Sequence, residues 1–119
     1  MFLAVALACR LGRAEPPVAT LLYPLDGAEL PAGQEVEVQS VSLSPDGVDW
    51  VELWVNGAQV NVQSAGRQEK FTALQRWTPP APGVYRLEVK AVDANNVASE
   101  PSAVTVTVSS TPPSSICTF

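Results

Sequence analysis

One stretch of the chain, residues 83–93, alternates between apolar and charged side chains so regularly that it limits the class of fold. The apolar positions are Tyr85, Leu87, Val89 and Ala91, and Arg86, Glu88 and Lys90 separate them. Successive side chains of a β-strand point to opposite faces, so a period of two predicts a strand with one buried face. Pro82-Gly83 before the strand and Asp93 after it favour turns, which bound it at both ends.

The tyrosine at the start of this strand predicts a local hydrogen bond. Tyr85 follows Gly83 by two residues. This spacing suits a tyrosine corner, in which the hydroxyl bonds a nearby backbone group. We therefore expect the ring of Tyr85 to fill the edge of the core.

Length and composition limit the chain to one domain with little or no helix. With 119 residues, of which 46% are hydrophobic, the chain can bury a single core of about 100 residues. The 11 Pro and 7 Gly residues favour frequent turns, and no long stretch has the period of a helix. The predicted strands cover residues 18–23, 34–42, 48–56, 59–63, 69–77, 83–93 and 102–108.

Turn signals separate these strands. Ser44-Pro45-Asp46-Gly47 has the sequence of a turn, because Pro presets the second position and Gly accepts a positive φ. Residues 64–67 are predicted as a loop. Asn56-Gly57 is typical of a two-residue type I′ hairpin, since both residues tolerate positive φ. The spacing predicts an all-β fold, an immunoglobulin-like β-sandwich of about seven antiparallel strands.

Residues 18–108 resemble the bacterial immunoglobulin-like domains of extracellular and cell-envelope proteins. The resemblance lies in Pro24-Leu25-Asp26-Gly27-Ala28-Glu29-Leu30, Gly47-Val48, Val51-Glu52-Leu53-Trp54-Val55-Asn56-Gly57, Trp77-Thr78-Pro79, and Gly83-Val84-Tyr85 through to Ala91-Val92-Asp93. The family usually has glycine in the turn after Asp93. Here Asn96 is expected to take that place, because asparagine tolerates the left-handed conformation.

The resemblance implies a fold and an extracellular setting. Members of the family serve mostly as spacers, adhesion modules or accessory binding domains, and the family has no catalytic residues to carry over. The expected function is therefore a non-catalytic, exported module that acts as a spacer or as a protein-interaction or adhesion domain at the bacterial cell envelope. The alternative is an accessory domain that binds carbohydrate.

The N-terminal residues predict export. Met1 to Cys9 is an apolar run of the length of a signal-peptide hydrophobic region. Cleavage after Ala14 would release a soluble domain, whereas Ala6-Leu7-Ala8-Cys9 resembles a lipobox in which Cys9 is lipidated, with Ala6 in place of the usual Leu. The predicted organisation is a signal peptide or lipoprotein signal over 1–14, a linker over 15–17, the β-sandwich over 18–109 and a Ser/Thr/Pro tail over 110–119.

Charge and residue types argue against several function classes. The net charge of −5 opposes binding of nucleic acid, which depends on clustered Lys and Arg. The chain has no His, the usual general base and transition-metal ligand. No catalytic motif is present, so we expect no enzyme activity and no cofactor. The expected partners are other protein domains or cell-surface polysaccharide, with a membrane contacted only through a lipid anchor.

Two tryptophans flank a glutamate and form the candidate ligand site. Trp50, Glu52 and Trp54 are spaced two apart, so they share the face opposite Val51 and Leu53, with the indoles about 13 Å apart. An exposed pair of this kind would stack on sugar rings. The competing interpretation is packing, with Trp54 over the Arg86 and Lys90 side chains and Trp50 against the 45–47 turn.

A calcium-dependent adhesion module is a third interpretation. Residues 93–96 place one carboxylate and two amides in a turn, and Asp26, Asp46 and Asp49 add further acidic loop residues. Calcium takes six to eight oxygen ligands, and this turn supplies a single carboxylate. Because Asp and Asn in turns are explained by hydrogen bonds to the backbone, no metal site is predicted.

Overall fold

The computed structural model describes residues 15–110, which form six β-strands and, within that range, no helix. The strands are β1 Val18–Tyr23, β2 Glu29–Pro31, β3 Val36–Val55, β4 Ala58–Trp77, β5 Gly83–Asp93 and β6 Ser102–Ser109. They are hydrogen-bonded in the order β1-β3-β5-β6-β2, with β4 on the other side of β3. The predicted signal segment with Cys9 and the tail from residue 111 onward lie outside the described residues.

The strands β3 and β4 are each 20 residues long and run through both layers of the sandwich. Residues 36–43 of β3 pair with β1 and with the second half of β4. Its residues 48–55 pair with β5, and its residues 50–55 pair with residues 58–64 of β4. The predicted chain reversal at Ser44–Gly47 and the predicted loop at Ser64–Arg67 are therefore wrong, because the chain continues through both segments as strand.

Two layers result from this arrangement. One contains β1 and the halves of β3 and β4 at 36–43 and 68–77, and the other contains the remaining halves together with β5, β6 and β2. The pairs are antiparallel apart from β2 with β6, which is parallel. The backbone N–H of Leu21 donates to Ser102 Oγ at 2.9 Å and joins the first layer to β6. The expected all-β immunoglobulin-like sandwich is thus confirmed.

The bends in the two long strands meet where the chain passes between layers. Gly47 has φ +94° and the register of β3 shifts on either side of Val48. Gly66 and Arg67 in β4 have φ +67° and +61°. An extra residue in a strand bends it and increases its twist, so these irregularities redirect both strands from one layer to the other.

The alternating strand lies at the centre of the core. Leu87, Val89 and Ala91 are 0% exposed, as are Val51 and Leu53 on the neighbouring strand, which confirms the predicted inward faces. On the first half of β3 the inward face combines valine with serine. Val41 is half-buried, and the fully buried positions are held by Val38, Ser40 and Ser42.

The local predictions for Tyr85, for the Asn56-Gly57 hairpin and for Asn96 are confirmed. The Tyr85 hydroxyl donates to the carbonyl of Ala81 at 2.7 Å, and its ring meets that of Trp77 edge-on with centroids 5.2 Å apart. Asn56 and Gly57 both have positive φ and connect Val55 to Ala58 in a two-residue hairpin. Asn96 has φ +64°.

The chain enters and leaves the sandwich at opposite ends. Val18 pairs with Leu43, next to the bend in β3. Ser109 pairs with Pro31 and accepts a backbone hydrogen bond from Ala32 at 2.9 Å. The strand β5 connects the two ends, because Asp93 pairs with Val48 near the entry and Gly83 pairs with Val108 near the exit. We call these ends the entry pole and the exit pole.

We expect Gly47→Ala to destabilise the domain more than Gly27→Ala. Both glycines have positive φ, but a Cβ on Gly47 would lie 2.6 Å from the Arg67 carbonyl oxygen, whereas one on Gly27 meets nothing within 4 Å. The left-handed strain costs about 1–2 kcal/mol in either variant, and overpacking adds about 1–3 kcal/mol at Gly47 alone. Urea unfolding of both variants measures the difference, and equal free energies of unfolding would contradict the close contact.

Candidate functional site

The three predicted site residues lie on the outward face of the second half of β3. Trp50, Glu52 and Trp54 are all half-buried, while Val51 and Leu53 between them are completely buried. The pairing of β3 with β5 places Glu52 opposite Lys90 and Trp54 opposite Glu88. The alternation that buries one face thus positions the tryptophans and the glutamate together on the other.

The Glu52 carboxylate joins the two indoles. Its Oε2 accepts a hydrogen bond from Trp50 Nε1 at 2.8 Å, and its Oε1 accepts one from Trp54 Nε1 at 3.0 Å. The Lys90 ammonium lies 4.4 Å from the centroid of the Trp54 ring, within the range of a cation–π interaction. We call these four side chains, Trp50, Glu52, Trp54 and Lys90, the indole cluster.

The geometry of the indole cluster has two chemical consequences. Each indole has one N–H donor, and both donors are used within the cluster, so neither is free to bond a ligand. Lys90 covers part of Trp54, which agrees with the predicted packing of Trp54 over that side chain. The remaining surface of the rings is flat and apolar, the kind of surface on which a sugar ring stacks.

The loop after β5 uses its polar groups to hold its own conformation. Asp93 is fully buried, and its Oδ1 accepts hydrogen bonds from the backbone N–H groups of Asn95 and Val97 at 2.9 and 3.0 Å. The Asn95 side-chain amide donates to Asp46 Oδ2 at 3.2 Å. Within residues 15–110 no three His, Cys, Asp or Glu side chains group in a way that suits a metal ion. The turn chemistry predicted for Asp93 accounts for these contacts.

A second polar cluster closes the gap between the layers along β4, and sequence reasoning missed it. Gln75 is 1% exposed, and its amide donates to the carbonyl of Val51 at 3.0 Å and to Asn61 Oδ1 at 3.2 Å. Gln63 Oε1 accepts a hydrogen bond from the backbone N–H of Leu74 at 3.2 Å. The available signal was Gln75 itself, a polar residue in phase with Phe71 and Trp77 on the inward face of the strand.

Two shallow hollows open on the entry pole, away from the indole cluster. One, of about 420 Å³, is lined by Pro16, Pro17, Ala98 and Pro101, among others. The other, of about 410 Å³, includes Leu43 and Lys70. Neither is lined by any of the three predicted site residues. No membrane-spanning helix is found among the residues that the structure describes.

The chain belongs to the bacterial Ig domain family, whose model matches residues 17–89. No curated protein matches it. Domains of this family typically occur in extracellular or cell-surface proteins.

Solved structures share the fold at low sequence identity. The fibronectin(III)-like modules of Clostridium thermocellum CbhA are 19% identical with a TM-score of 0.67, covering 78% of this chain, which spans 46% of theirs. The PKD domain of an M14-like peptidase from a Thermoplasmatales archaeon is 18% identical with a TM-score of 0.61, covering 81% of this chain and 98% of its own. The CARDB domain of a Pyrococcus furiosus protein is 20% identical with a TM-score of 0.59, covering 81% and 96%.

We expect Glu52→Gln to release at least one indole, because a neutral amide offers one acceptor oxygen where the carboxylate offers two. Half-exposed hydrogen bonds to a charged group contribute on the order of 1 kcal/mol each. The NMR resonances of the Trp50 and Trp54 Nε1–H groups should therefore move, while that of the buried Trp77 stays in place. Urea unfolding should show a loss of about 1–2 kcal/mol.

The matched control for this change is Glu88→Gln. Glu88 lies on the same sheet face and contacts Arg86 at 3.5 Å, but no hydrogen bond joins it to an indole. If both variants move the two indole resonances to the same extent, the carboxylate bridge does not hold the rings.

Proposed function

We propose that this chain is a non-catalytic, exported module that acts as a spacer at the bacterial cell envelope. The observation that supports this role best is the placement of the entry and exit poles at opposite ends of the sandwich. A chain that passes through such a domain advances by the whole length of the folded sandwich, roughly 30 Å for strands of this size. Family membership supports the extracellular setting.

The hydrogen-bond pattern near the exit supports a domain that carries tension along its strands. The last strand, β6, is held by β5 on one side and by β2 on the other. Backbone bonds join Gly27 N–H to the Thr105 carbonyl and Thr107 N–H to the Ala28 carbonyl at 2.7 and 2.9 Å. A pull on β6 along its own axis loads these bonds together and not one after another.

We expect the unprocessed full chain, tethered through Cys9 and Cys117, to resist force better than the same domain with both attachment points at one pole. The two cysteines lie before and after the described residues, so tension enters at one pole and leaves at the other. Single-molecule force spectroscopy should record a higher rupture force at equal loading rate than in the control geometry described next.

The control carries Pro82→Cys and Ser110→Cys, with Cys9 and Cys117 changed to Ser. Its two attachment points lie at the same pole, because Gly83 pairs with Val108, so the pull peels β6 from β5 one bond at a time. Rupture at the same force in both geometries would remove the mechanical argument for a spacer.

The second candidate function is binding of carbohydrate on the indole cluster. The observation that favours it is the fixed placement of two half-exposed indoles on one strand face, since Glu52 bonds both rings. Rigid aromatic rings give apolar contact area at low entropic cost. A flat surface buries little of a ligand, so the expected affinity is weak.

We expect any glycan that binds to do so with a dissociation constant in the high-micromolar to millimolar range. This range corresponds to a binding free energy of about 4–6 kcal/mol. Tryptophan fluorescence would be followed while soluble oligosaccharides and envelope polysaccharides are titrated. Trp50→Ala and Trp54→Ala should each abolish the response while Trp77 keeps its buried emission as the folding control. An absent response across a broad glycan panel would refute this candidate.

A further inference from the structure

Among residues 15–110, no strand pairs with one edge of β4 along its whole length. It pairs only with β3, in both layers of the sandwich, and most of its residues are exposed. Among the exposed large apolar side chains of the domain are Val60, Val62 and Leu74 of this strand. An open edge presents unpaired N–H and C=O groups that another extended chain can use.

The second half of β4 offers a defined set of backbone groups. The N–H of Leu74 points away from β3, because it donates to the Gln63 side chain at 3.2 Å. The direction of the backbone N–H and C=O groups alternates from one residue to the next along a strand. Lys70, Thr72 and Arg76 therefore also direct their backbone groups to the open side. Phe71, Ala73 and Gln75 direct theirs toward β3. The side chains of the outward set are all exposed.

This edge is the most cationic part of an acidic domain. The strand β4 carries Arg67, Lys70 and Arg76 against a single acid, Glu69, whereas the rest of residues 15–110 holds two basic and eleven acidic residues. Arg76 lies 3.7 Å from Glu35, with both side chains more than half exposed. Among the described residues Lys70 makes no ion pair. Positive charge is therefore concentrated beside the outward backbone groups of β4.

We propose that the edge formed by residues 70–76 of β4 binds an extended acidic peptide segment, which adds to the first layer as a further strand. Backbone hydrogen bonds would supply the pairing, as in other cases of strand addition. Carboxylates on the incoming segment would lie beside Lys70 and Arg76, and a β-branched or aliphatic side chain would cover Leu74. The Gln63 side chain, which now caps the Leu74 N–H, would be displaced by a carbonyl of the peptide.

Charge favours this occupant over a second copy of the chain. When two copies pair antiparallel with Thr72 opposite Leu74, Lys70 of each lies opposite Arg76 of the other. Charged residues on an edge strand are a known means of preventing self-association. An acidic peptide turns the same two cations into attractive contacts.

The test uses the full chain and the peptide Glu-Thr-Val-Thr-Val-Thr-Glu, whose end carboxylates face Lys70 and Arg76 in either strand direction. A peptide with Lys at both ends is the control. We expect the acidic peptide to bind about tenfold more tightly at low salt. The amide protons of Thr72 and Leu74 should gain protection from hydrogen exchange. Those of Phe71 and Ala73 already point to β3, so their protection should not change. Equal affinity for the two peptides would overturn the proposal.

Four variants separate backbone pairing from simple charge attraction. Thr72→Pro removes an outward N–H and should abolish binding. Proline is tolerated at this edge position because the lost N–H is not one that bonds to β3. Thr72→Val keeps the N–H and should keep binding. Gln63→Ala removes the cap on Leu74 and should tighten binding by about two- to tenfold. Lys70→Glu should weaken binding of the acidic peptide, and it remains informative if Thr72→Pro fails to fold.

Two further results would overturn the proposal. One is unchanged affinity in Thr72→Pro, because binding would then need no backbone pairing. The other is concentration-dependent association of the chain that protects the same amides without peptide, since the edge would then take a second copy. The inference does not rest on the spacer role, because rupture force and amide protection are independent readouts.

Discussion

The structure depends on the crossing of β3 and β4 between layers, where the two backbones touch. Gly47 approaches the Arg67 carbonyl so closely that no Cβ fits between them. Each strand therefore serves as a member of both layers, and the layers cannot separate without breaking the same two strands. Since neither cysteine lies within residues 15–110, this continuity and the packed core do the work that an inter-sheet disulfide does in antibody domains.

The outward face of the same strand shows why an aromatic pair on a sheet is ambiguous. In the indole cluster the polar parts of both tryptophans bond one carboxylate, and a lysine covers part of Trp54. These contacts fix the rings, which is what a stacking platform requires. They also provide both indole N–H donors with a hydrogen-bond acceptor in the absence of a ligand. The pattern of residues is the same for either role, so binding has to be decided by titration.

The parts of the fold that follow from local periodicity could be predicted from the sequence, and those that follow from pairing at a distance could not. The alternation around Leu87, the hairpin at Asn56-Gly57 and the hydroxyl contact of Tyr85 involve residues close in sequence. At residues 44–47 the turn chemistry is present and Gly47 has the expected positive φ, but the pairing of β3 with β4 on both sides of it keeps the chain extended. The joint position of Trp50, Glu52 and Trp54 followed from spacing, while the bridge through Glu52 depends on rotamers that spacing does not determine.

The separation of the entry and exit poles also determines how much chain the domain stores. Folded, residues 15–110 advance the chain by roughly 30 Å, whereas the same segment fully extended reaches roughly 300 Å. A single unfolding event would thus lengthen the chain about tenfold over this segment and relax the tension that caused it. A domain with both ends at one pole would release a similar length but would contribute almost nothing to the reach of the folded chain.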